Sequence, residues 1–293
     1  MGLCMARILA KEGARLALIA RTSEQLDNAR SELESYGAEV HTYRADLTKA
    51  EEVNRVIAAI RNDLGPVDVL INNAGIIQAG PYNTMVKHDY EQSLNTHFWA
   101  PYYCTQAVVP NMRKRGAGRI VNIASIGGKI SVPHLLPYSV GKFALVGYSE
   151  GLRAELLRNN VLVTTVCPGL LRTGSQVAVQ IKGDHEAELT WFKIADALPL
   201  FSMEAEEAAK AIVEATRYGE AELVLSAPAR ILVFLKGLAP SALVELLSLS
   251  SYVMPKATPG SFDSKLGSEI QTPKVPKMLE EVLERAAEVN NEK

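Results

Sequence analysis

A tyrosine and a lysine lie four residues apart in the run Tyr138-Ser139-Val140-Gly141-Lys142. Apolar residues recur at three-to-four spacing from 143 to 156, so the run is predicted to open a helix. Positions i and i+4 share one face of a helix, so the phenol and the ammonium can reach one pocket. A lysine charge near a phenol favours the phenolate and lowers the tyrosine pKa from about 10 towards neutrality. The pair is therefore predicted to exchange protons with a bound molecule.

A serine precedes this pair at a position where side chains face ligands. Ser125 lies thirteen residues before Tyr138, just after the strand-like run 119–123. Open α/β sheets expose the carboxyl ends of their strands to a ligand crevice. A lone Tyr-x-x-x-Lys is weak evidence, whereas the same pair with this serine is much more specific. The arrangement resembles the short-chain dehydrogenase/reductase family, which are nicotinamide-dependent oxidoreductases with a Rossmann-type sheet.

The resemblance implies a role for each catalytic residue. Tyr138 would be the general acid in carbonyl reduction, and Lys142 would lower its pKa and bind the nicotinamide ribose. Ser125 would donate a hydrogen bond to the substrate oxygen. Asn95, in Leu94-Asn95-Thr96, would hold a water that links Lys142 to solvent as a proton relay. The alternative for Asn95 is an ordinary surface amide, since asparagine is a poor residue inside a helix.

Short apolar runs alternate with amphipathic segments over the first three quarters of the chain. Helices are expected near 3–12, 23–36, 49–64, 87–115 and 204–218, and strands near 16–20, 39–44, 67–71, 119–123, 161–167 and 223–225. In the segment 87–115, Pro101 and Pro110 should bend the helix or mark its breaks. This alternation predicts an α/β fold, a Rossmann-type doubly wound parallel sheet with helices on both faces. The predicted division is a dinucleotide-binding and catalytic domain over 1–226 and a C-terminal helical extension and tail over 227–293.

The beginning of the chain departs from the family. There, a first strand and a turn of the form Thr-Gly-x-x-x-Gly-x-Gly precede the opening helix, and here only Gly2 matches, as the last glycine. The fold is therefore predicted to be N-terminally truncated, with two neighbouring strands left unpaired where the central strand would lie. Either the given start is too late, which we favour because the other motifs are intact, or the chain is a degenerate copy.

Three further motifs concern the cofactor. Arg21 follows the second family strand, where the resemblance implies an arginine that faces the 2′-phosphate of NADP; NAD is less expected because no acidic residue is present there. Asp46 and Leu47 end the next strand, and Asp46 would either accept from the adenine amino group or cap the following helix. In Asn72-Asn73-Ala74-Gly75, the residues Asn73, Ala74 and Gly75 match the family's turn against the cofactor.

Two later segments complete the predicted pocket. Pro168, Gly169 and Thr173 match the family's Pro-Gly-x-x-x-Thr, which grips the nicotinamide carboxamide. The segment 174–203 would be a mobile lid. Its apolar residues suggest a lipophilic substrate, although a lid also needs such residues to pack. These residues are Val177, Val179, Ile181, Leu189, Trp191, Phe192, Ile194, Leu198, Leu200 and Phe201.

The resemblance ends before the last quarter of the chain. Two apolar helical pieces lie near 231–235 and 243–249, and each is shorter than the ~20 residues needed to span a bilayer. They could cap the pocket, form an oligomer contact or touch a membrane peripherally through 229–253, and the first two are favoured together. An exposed arm is expected over 256–276, followed by a charged surface helix over 278–287.

Bulk composition excludes several classes. The chain has 293 residues, 47% of them apolar, and its net charge of −2 argues against a nucleic-acid partner. Cys4, Cys104 and Cys167 are far apart, as expected of free thiols in a reducing compartment. The five histidines lack metal-ligand spacing, so no metal is expected. The amino terminus lacks the pattern of a signal peptide, and a cytoplasmic location is expected, with a location peripheral to a membrane as the alternative.

These observations predict an NADP(H)-dependent oxidoreductase that interconverts a carbonyl and a secondary alcohol. The resemblance also implies a homodimer or homotetramer, formed through the helices that carry Asn95 and Tyr138. The alternative from a different class is a catalytically inactive binding or scaffold protein that has lost the phosphate-binding turn.

Overall fold

The computed structural model describes residues 1–198, 202–256 and 262–292. The helices are α1 (Gly2–Lys11), α2 (Ser23–Glu34), α3 (Ala50–Asp63), α4 (Lys87–Leu94), α5 (Ala100–Arg115), α6 (Leu136–Leu156), α7 (His185–Ala197), α8 (Ala205–Tyr218), α9 (Ala227–Leu238), α10 (Pro240–Leu249) and α11 (Lys277–Val289). The strands are β1 (Leu16–Ala20), β2 (Val40–Arg44), β3 (Val69–Asn72), β4 (Gln78–Ala79), β5 (Gly118–Ile123), β6 (Val161–Pro168), β7 (Leu170–Arg172), β8 (Gln180–Ile181), β9 (Ser202–Glu204), β10 (Glu222–Leu225) and β11 (Lys265–Leu266).

The main strands are parallel and covered by helices on both faces. β5 shows this alternation, because successive side chains of a strand point to opposite faces. Ile120 packs in a core with residues of α3 and α5, such as Val56 and Met112. Val121 packs on the other face with residues of α1 and α8. The predicted Rossmann-type α/β fold is confirmed.

The parallel strands form two groups rather than one sheet. β1 pairs with β2, and a separate sheet has the order β10-β6-β5-β3. Within the described residues, the second edge of β1 and that of β3 therefore have no strand partner. A cavity of about 1800 Å³ reaches between these two strands and on to their carboxyl ends. The predicted pair of unpaired strands is present.

The predicted helix over 87–115 is two helices joined by a wide turn. α4 ends at Leu94, the residues Asn95–Trp99 form a π-helical turn, and α5 begins at Ala100. The prediction that the prolines would bend the helix or mark its breaks holds for Pro101, whereas Pro110 does not interrupt α5. Pro101 lies in the first turn of α5, where no N–H is required, and Pro110 stays inside that helix.

The last quarter is better packed than predicted. β11 pairs with β8, and Thr272 and Val275 are buried, so the segment after Phe262 is not simply an exposed arm. α11 lies on the surface as predicted, with most of its residues exposed, and it buries Leu283 and Ala287 against the body of the protein. Leu200 and Phe201 of the predicted lid lie outside the described residues. The domain division at 226/227 stays a prediction.

Candidate active site

Ser125, Tyr138 and Lys142 meet at the carboxyl end of β5. Tyr138 lies in the first turn of α6, and Lys142 follows one turn later on the same face. The Oγ of Ser125 accepts a hydrogen bond from the backbone N–H of Gly127 at 3.1 Å. The Nζ of Lys142 donates to the carbonyl oxygen of Ile123 at 2.8 Å and lies 5.7 Å from the centroid of the Tyr138 ring. The predicted triad is therefore assembled around one strand end.

Burial is the main cause of the pKa shifts of Tyr138 and Lys142. For the Tyr138 phenol, the shift is opposite to the predicted one. Desolvation raises the pKa of Tyr138 to about 12, although the adjacent Ser125 hydroxyl acts in the opposite direction. Desolvation also lowers the pKa of Lys142 to about 7. The expected lowering of the phenol pKa by lysine was wrong for the structure as it stands. A buried lysine that readily loses its charge cannot stabilise a phenolate strongly.

Asn95 does not reach this site, which corrects its predicted place in the proton relay. Asn95 is exposed and does not line the cavity. His97, two residues later in the π-helical turn, is 1% exposed. Its Nε2 lies 2.9 Å from the carbonyl oxygen of Ile76, and its ring is edge-on to Tyr138 with a centroid separation of 5.2 Å. His97 was missed because a lone histidine in an apolar helix carries no spacing signal.

Every other predicted site residue lines the one large cavity. The catalytic ones are Ser125, Tyr138 and Lys142, and the predicted cofactor-binding ones are Gly2, Arg21, Asp46, Leu47, Asn73, Ala74, Gly75, Pro168, Gly169 and Thr173, together with Tyr138 and Lys142. These residues come from the carboxyl ends of β1, β2, β3, β5 and β6, from α1 and α6, and from the segment just after β7. A nicotinamide dinucleotide is an elongated molecule, so a set spread along one cavity suits it.

Glycines on this wall allow close packing of neighbouring side chains around the cavity. A Cβ at Gly75 would lie 3.2 Å from Cε1 of His97, and one at Gly169 would lie 2.6 Å from Oγ of Ser226. At Gly2, the first residue of α1, a Cβ would lie 2.9 Å from the side-chain nitrogen of Asn73. The cradle fits a cofactor at its nicotinamide end. At the end predicted to hold the pyrophosphate, the cradle presents the amino terminus of α1. Gly2 there matches the last glycine of the family's phosphate-binding turn.

The adenine end of the cavity carries Arg21 and Asp46. The Arg21 side chain is exposed at the end of β1, and its carbonyl oxygen accepts from Nε of Arg44 at 3.1 Å. Asp46 accepts from the backbone N–H of Thr48 at 3.1 Å and from its hydroxyl at 2.7 Å. Although burial opposes it, these hydrogen bonds hold the pKa of Asp46 below its usual value. The N-cap of α3 is Lys49, so the predicted alternative of Asp46 as a helix cap was wrong.

The substrate side of the cavity mixes apolar walls with two buried acids that sequence reasoning missed. Nδ1 of His134 lies 2.8 Å from Oε1 of Glu188, and burial raises the pKa of that carboxyl. Asp196 is also buried, and desolvation raises its pKa to about 7 although the charge of Arg172 opposes the shift. Apolar neighbours on the same wall include Leu135, Trp191, Phe192, Ile194 and Leu232. No cluster of metal-ligating side chains occurs in the described ranges.

The chain belongs to the short-chain dehydrogenase/reductase family. The family model described as short chain dehydrogenase matches residues 1–182. The chain is thus an oxidoreductase of this type with a Rossmann fold, acting in carbonyl/alcohol interconversion.

Its relatives include reductases and dehydrogenases. A putative ketoacyl reductase of Streptomyces coelicolor is 37% identical over 61% of this chain and 70% of that protein. A gluconate 5-dehydrogenase of Gluconobacter oxydans is 35% identical over 64% and 72%. Among solved structures, a short-chain dehydrogenase from Streptomyces avermitilis superposes with a TM-score of 0.70 at 28% identity, covering 86% of this chain and 93% of that one. L-Sorbose reductase from Gluconobacter frateurii, complexed with NADPH and L-sorbose, gives a TM-score of 0.68 at 27% identity, covering 77% and 90%.

Proposed function

We propose that this chain interconverts a carbonyl and a secondary alcohol on a lipophilic substrate, with NADP(H) as its cofactor. The observation that carries the proposal is the shared cavity. It brings Ser125, Tyr138 and Lys142 together with the residues that the family places on the cofactor.

Each residue has a defined task in carbonyl reduction. The bound cofactor supplies the hydride to the carbonyl carbon. Tyr138 gives its phenolic proton to the carbonyl oxygen, and the raised pKa keeps the phenol protonated at neutral pH until then. Ser125 donates a hydrogen bond to the same oxygen and stabilises its developing charge. Lys142 lies one helical turn from Tyr138 and is placed to restore its proton.

Two observations support NADP(H) over NAD(H). Arg21 offers an exposed guanidinium at the end of β1, and no acidic side chain accompanies it at Ala20 or Thr22. L-Sorbose reductase and an actinorhodin polyketide ketoreductase, the latter 30% identical with a TM-score of 0.68, both have NADPH in their structures.

The proposed lipophilic substrate is supported by apolar side chains that line the same cavity as Tyr138. α7 contributes Trp191, Phe192 and Ile194, and α9 contributes Leu232. The paired His134 and Glu188 offer polar contacts on the same wall, so the substrate is expected to carry a polar group beside its apolar part.

A non-catalytic binding protein remains the second candidate, and one observation favours it. The interval between β1 and β3 is open, so the amino terminus of α1 lacks the adjacent strand that would support a phosphate-binding turn. In that case the cavity would bind a ligand without turnover.

A paired titration and assay decide between the two. We expect NADPH to quench protein fluorescence with micromolar affinity and NADH to bind at least about tenfold more weakly. A panel of long-chain, retinoid-like and steroid-like ketones, with gluconate and sorbose as polar controls, then tests turnover. Binding of NADPH without turnover of any compound would favour the binding protein. Failure of both nucleotides to bind would contradict the proposed cofactor site.

Assembly and location are also proposals. Trp99 and Phe143 are 40% and 42% exposed, and they lie on the π-helical turn and on α6, respectively. Exposed aromatic side chains suit the proposed dimer or tetramer contact along α5 and α6. A cytoplasmic location is consistent with the free, buried Cys4, Cys104 and Cys167.

A further inference from the structure

His97 is a buried histidine with one nitrogen left without a partner. Its Nε2 faces the carbonyl oxygen of Ile76, which can only accept, so Nε2 carries the ring proton. Burial, with the nearby Lys142 charge, holds the pKa of His97 well below its usual value and keeps the ring neutral. Nδ1 is then a hydrogen-bond acceptor. It is buried and has no hydrogen-bond partner among the described residues.

The unpartnered nitrogen borders the same small space as the lysine. A Cβ placed on Gly75 would lie 3.6 Å from Nδ1 of His97 and 3.8 Å from Nζ of Lys142. Tyr138 and Lys142 of α6 face the ring, and the loop Asn73–Ile76 brings no titratable group. Lys142 is therefore the proton-exchanging neighbour of Nδ1.

We propose that His97 relays protons to and from Lys142, in place of the amide that the sequence led us to expect at Asn95. In reduction, Tyr138 gives its proton to the substrate oxygen, and Lys142 passes one of its protons to the phenolate. Nδ1 of His97 then takes a proton from water in the cavity that His97 lines, and the resulting imidazolium passes that proton to Lys142. In alcohol oxidation, each transfer runs in reverse. Once Lys142 is neutral, it no longer opposes a charge on the imidazole, so a transient imidazolium forms more readily at that moment.

This relay rests on the proposed function, and a kinetic test uses readouts that a structural role would not move. We expect His97→Leu to lower kcat about 10- to 100-fold, with KM for NADPH within about threefold of the native value. Imidazole added to His97→Ala should restore kcat at least about tenfold, whereas it should not affect Tyr138→Phe. An unchanged kcat in His97→Leu, or an imidazole effect equal in both variants, would overturn the relay.

A second measurement needs neither cofactor nor turnover, and so separates failure of the relay from failure of the proposed function. Nitrogen-15 NMR of the His97 ring should show the neutral Nε2–H form from pH 8 to about pH 5. A ring that charges near the ordinary histidine pKa, or one that carries its proton on Nδ1 rather than on Nε2, would overturn the relay even if the enzyme proved active.

A different part of the molecule carries an independent inference, the apolar hairpin formed by α9, α10 and the turn to Val253. Its buried residues among α9 and α10 are Ala229 and Leu243. Six of its large apolar side chains are each at least 59% exposed, namely Ile231, Phe234, Leu238, Leu246, Leu249 and Tyr252. A surface helix of a globular protein normally turns such residues inward, so this surface fits a partner.

The length and charge of the apolar hairpin identify the partner. No helix in the described ranges is long and apolar enough to span a membrane. The exposed apolar side chains dominate both helices and only a few charged ones accompany them, whereas a protein interface has an extended polar rim. Its charged side chains are three cations, Arg230, Lys236 and the adjoining Lys256, against one acid, Glu245. Apolar helices flanked by cations fit an anionic lipid surface.

We propose that the apolar hairpin docks in the plane of an anionic lipid membrane. Leu232 of α9 and Met254 after the hairpin also line the large cavity, so the docked face adjoins its wall. A ligand that leaves the bilayer would thus meet the cavity directly.

Vesicle flotation tests this docking on the full chain. We expect at least about tenfold more protein to float with phosphatidylglycerol-containing vesicles than with phosphatidylcholine alone. The double variant Phe234→Ser and Leu238→Ser should lose this flotation about tenfold. The matched control is Leu157→Ser, because Leu157 is 56% exposed and lies just before the amino end of β6, away from the apolar hairpin that follows β10. This control should float like the native chain.

Three results would overturn the docking: no flotation of the native chain, equal flotation of the double variant, or equal losses in the control. Light scattering without lipid tests whether the partner is a second copy of this chain. If the double variant turned a stable dimer into a monomer and the native chain did not float, the apolar hairpin would be a dimer contact instead.

Discussion

The ammonium of Lys142 donates to the carbonyl oxygen of Ile123 at 2.8 Å, which ties the helix of Tyr138 to the strand that leads to Ser125. This hydrogen bond crosses from α6 to β5, and it fixes the distance between the two elements that carry the catalytic groups. In the proposed mechanism, Lys142 is therefore both a structural link and a proton carrier. Substitutions at this site need readouts that separate these two roles.

Tyr138→Phe removes the proton donor and little else. We expect kcat for carbonyl reduction to fall by about 10²- to 10⁴-fold, with the affinity for NADPH changed by less than about threefold. The measurement is steady-state kinetics with a fluorescence titration of NADPH. Tyr218→Phe is the control, since Tyr218 is 70% exposed at the end of α8. A Tyr138→Phe protein that kept its reductase rate would exclude the phenol as the acid.

The fold and most of the site were predictable because they depend on local patterns. β1, β5 and β6 are short apolar runs with polar or small residues at their carboxyl ends, and parallel strands bring those ends together. The motifs follow the strands, so most of their residues reach one cavity.

The error at Asn95 has a local physical cause. A π-helical turn winds more residues into each turn than an α-helix does, so it rotates the following residues relative to α-helical spacing. Asn95 opens this turn with an exposed side chain, and His97, two residues later, carries the buried one. Burial of Thr272 and Val275 could not be read from the sequence either, because their neighbours are far away along the chain.

Burial of Lys142 predicts a pH-dependent contribution to stability. Its pKa is about 7 in the fold and ordinarily 10.5, so between these values the unfolded chain binds more protons. The free energy of unfolding should therefore rise with pH across that range, by at most about 1.4 kcal/mol per pH unit, and be flat in this respect below pH 7. Lys142→Met lacks this contribution.

Urea unfolding of the native chain and of Lys142→Met at pH 6, 8 and 10 measures this contribution of Lys142 to stability. The free energy of unfolding of the native chain minus that of Lys142→Met should increase from pH 7 towards pH 10. The missing hydrogen bond to Ile123 adds a loss that does not change with pH and so does not affect this slope. Other titrating groups cancel in the difference. Parallel pH curves would show that Lys142 keeps an ordinary pKa in the fold.

Arg21→Ala tests the choice between the two nucleotides. Loss of a charge-assisted contact to a phosphate is worth about 1.5–3 kcal/mol, so the NADPH dissociation constant should rise about 10- to 100-fold. The NADH constant should stay within about twofold, because NADH lacks the 2′-phosphate. Arg158→Ala is the control, since Arg158 is exposed and does not line the cavity. Equal weakening of both nucleotides would place Arg21 outside the phosphate contact.

Gly174→Ala tests whether α11 packs against the body of the protein in solution. Gly174 has φ +96°, and a Cβ there would collide with the backbone of Ala287 on α11. Gly13 is a matched control, because its φ is +80° and a Cβ would have nothing within 4 Å. Both variants carry the strain of a positive φ, about 1–2 kcal/mol, and only Gly174→Ala adds overpacking of about 1–3 kcal/mol. Urea unfolding at pH 7 should therefore show the larger loss at Gly174, and equal losses would mean that α11 does not hold this position.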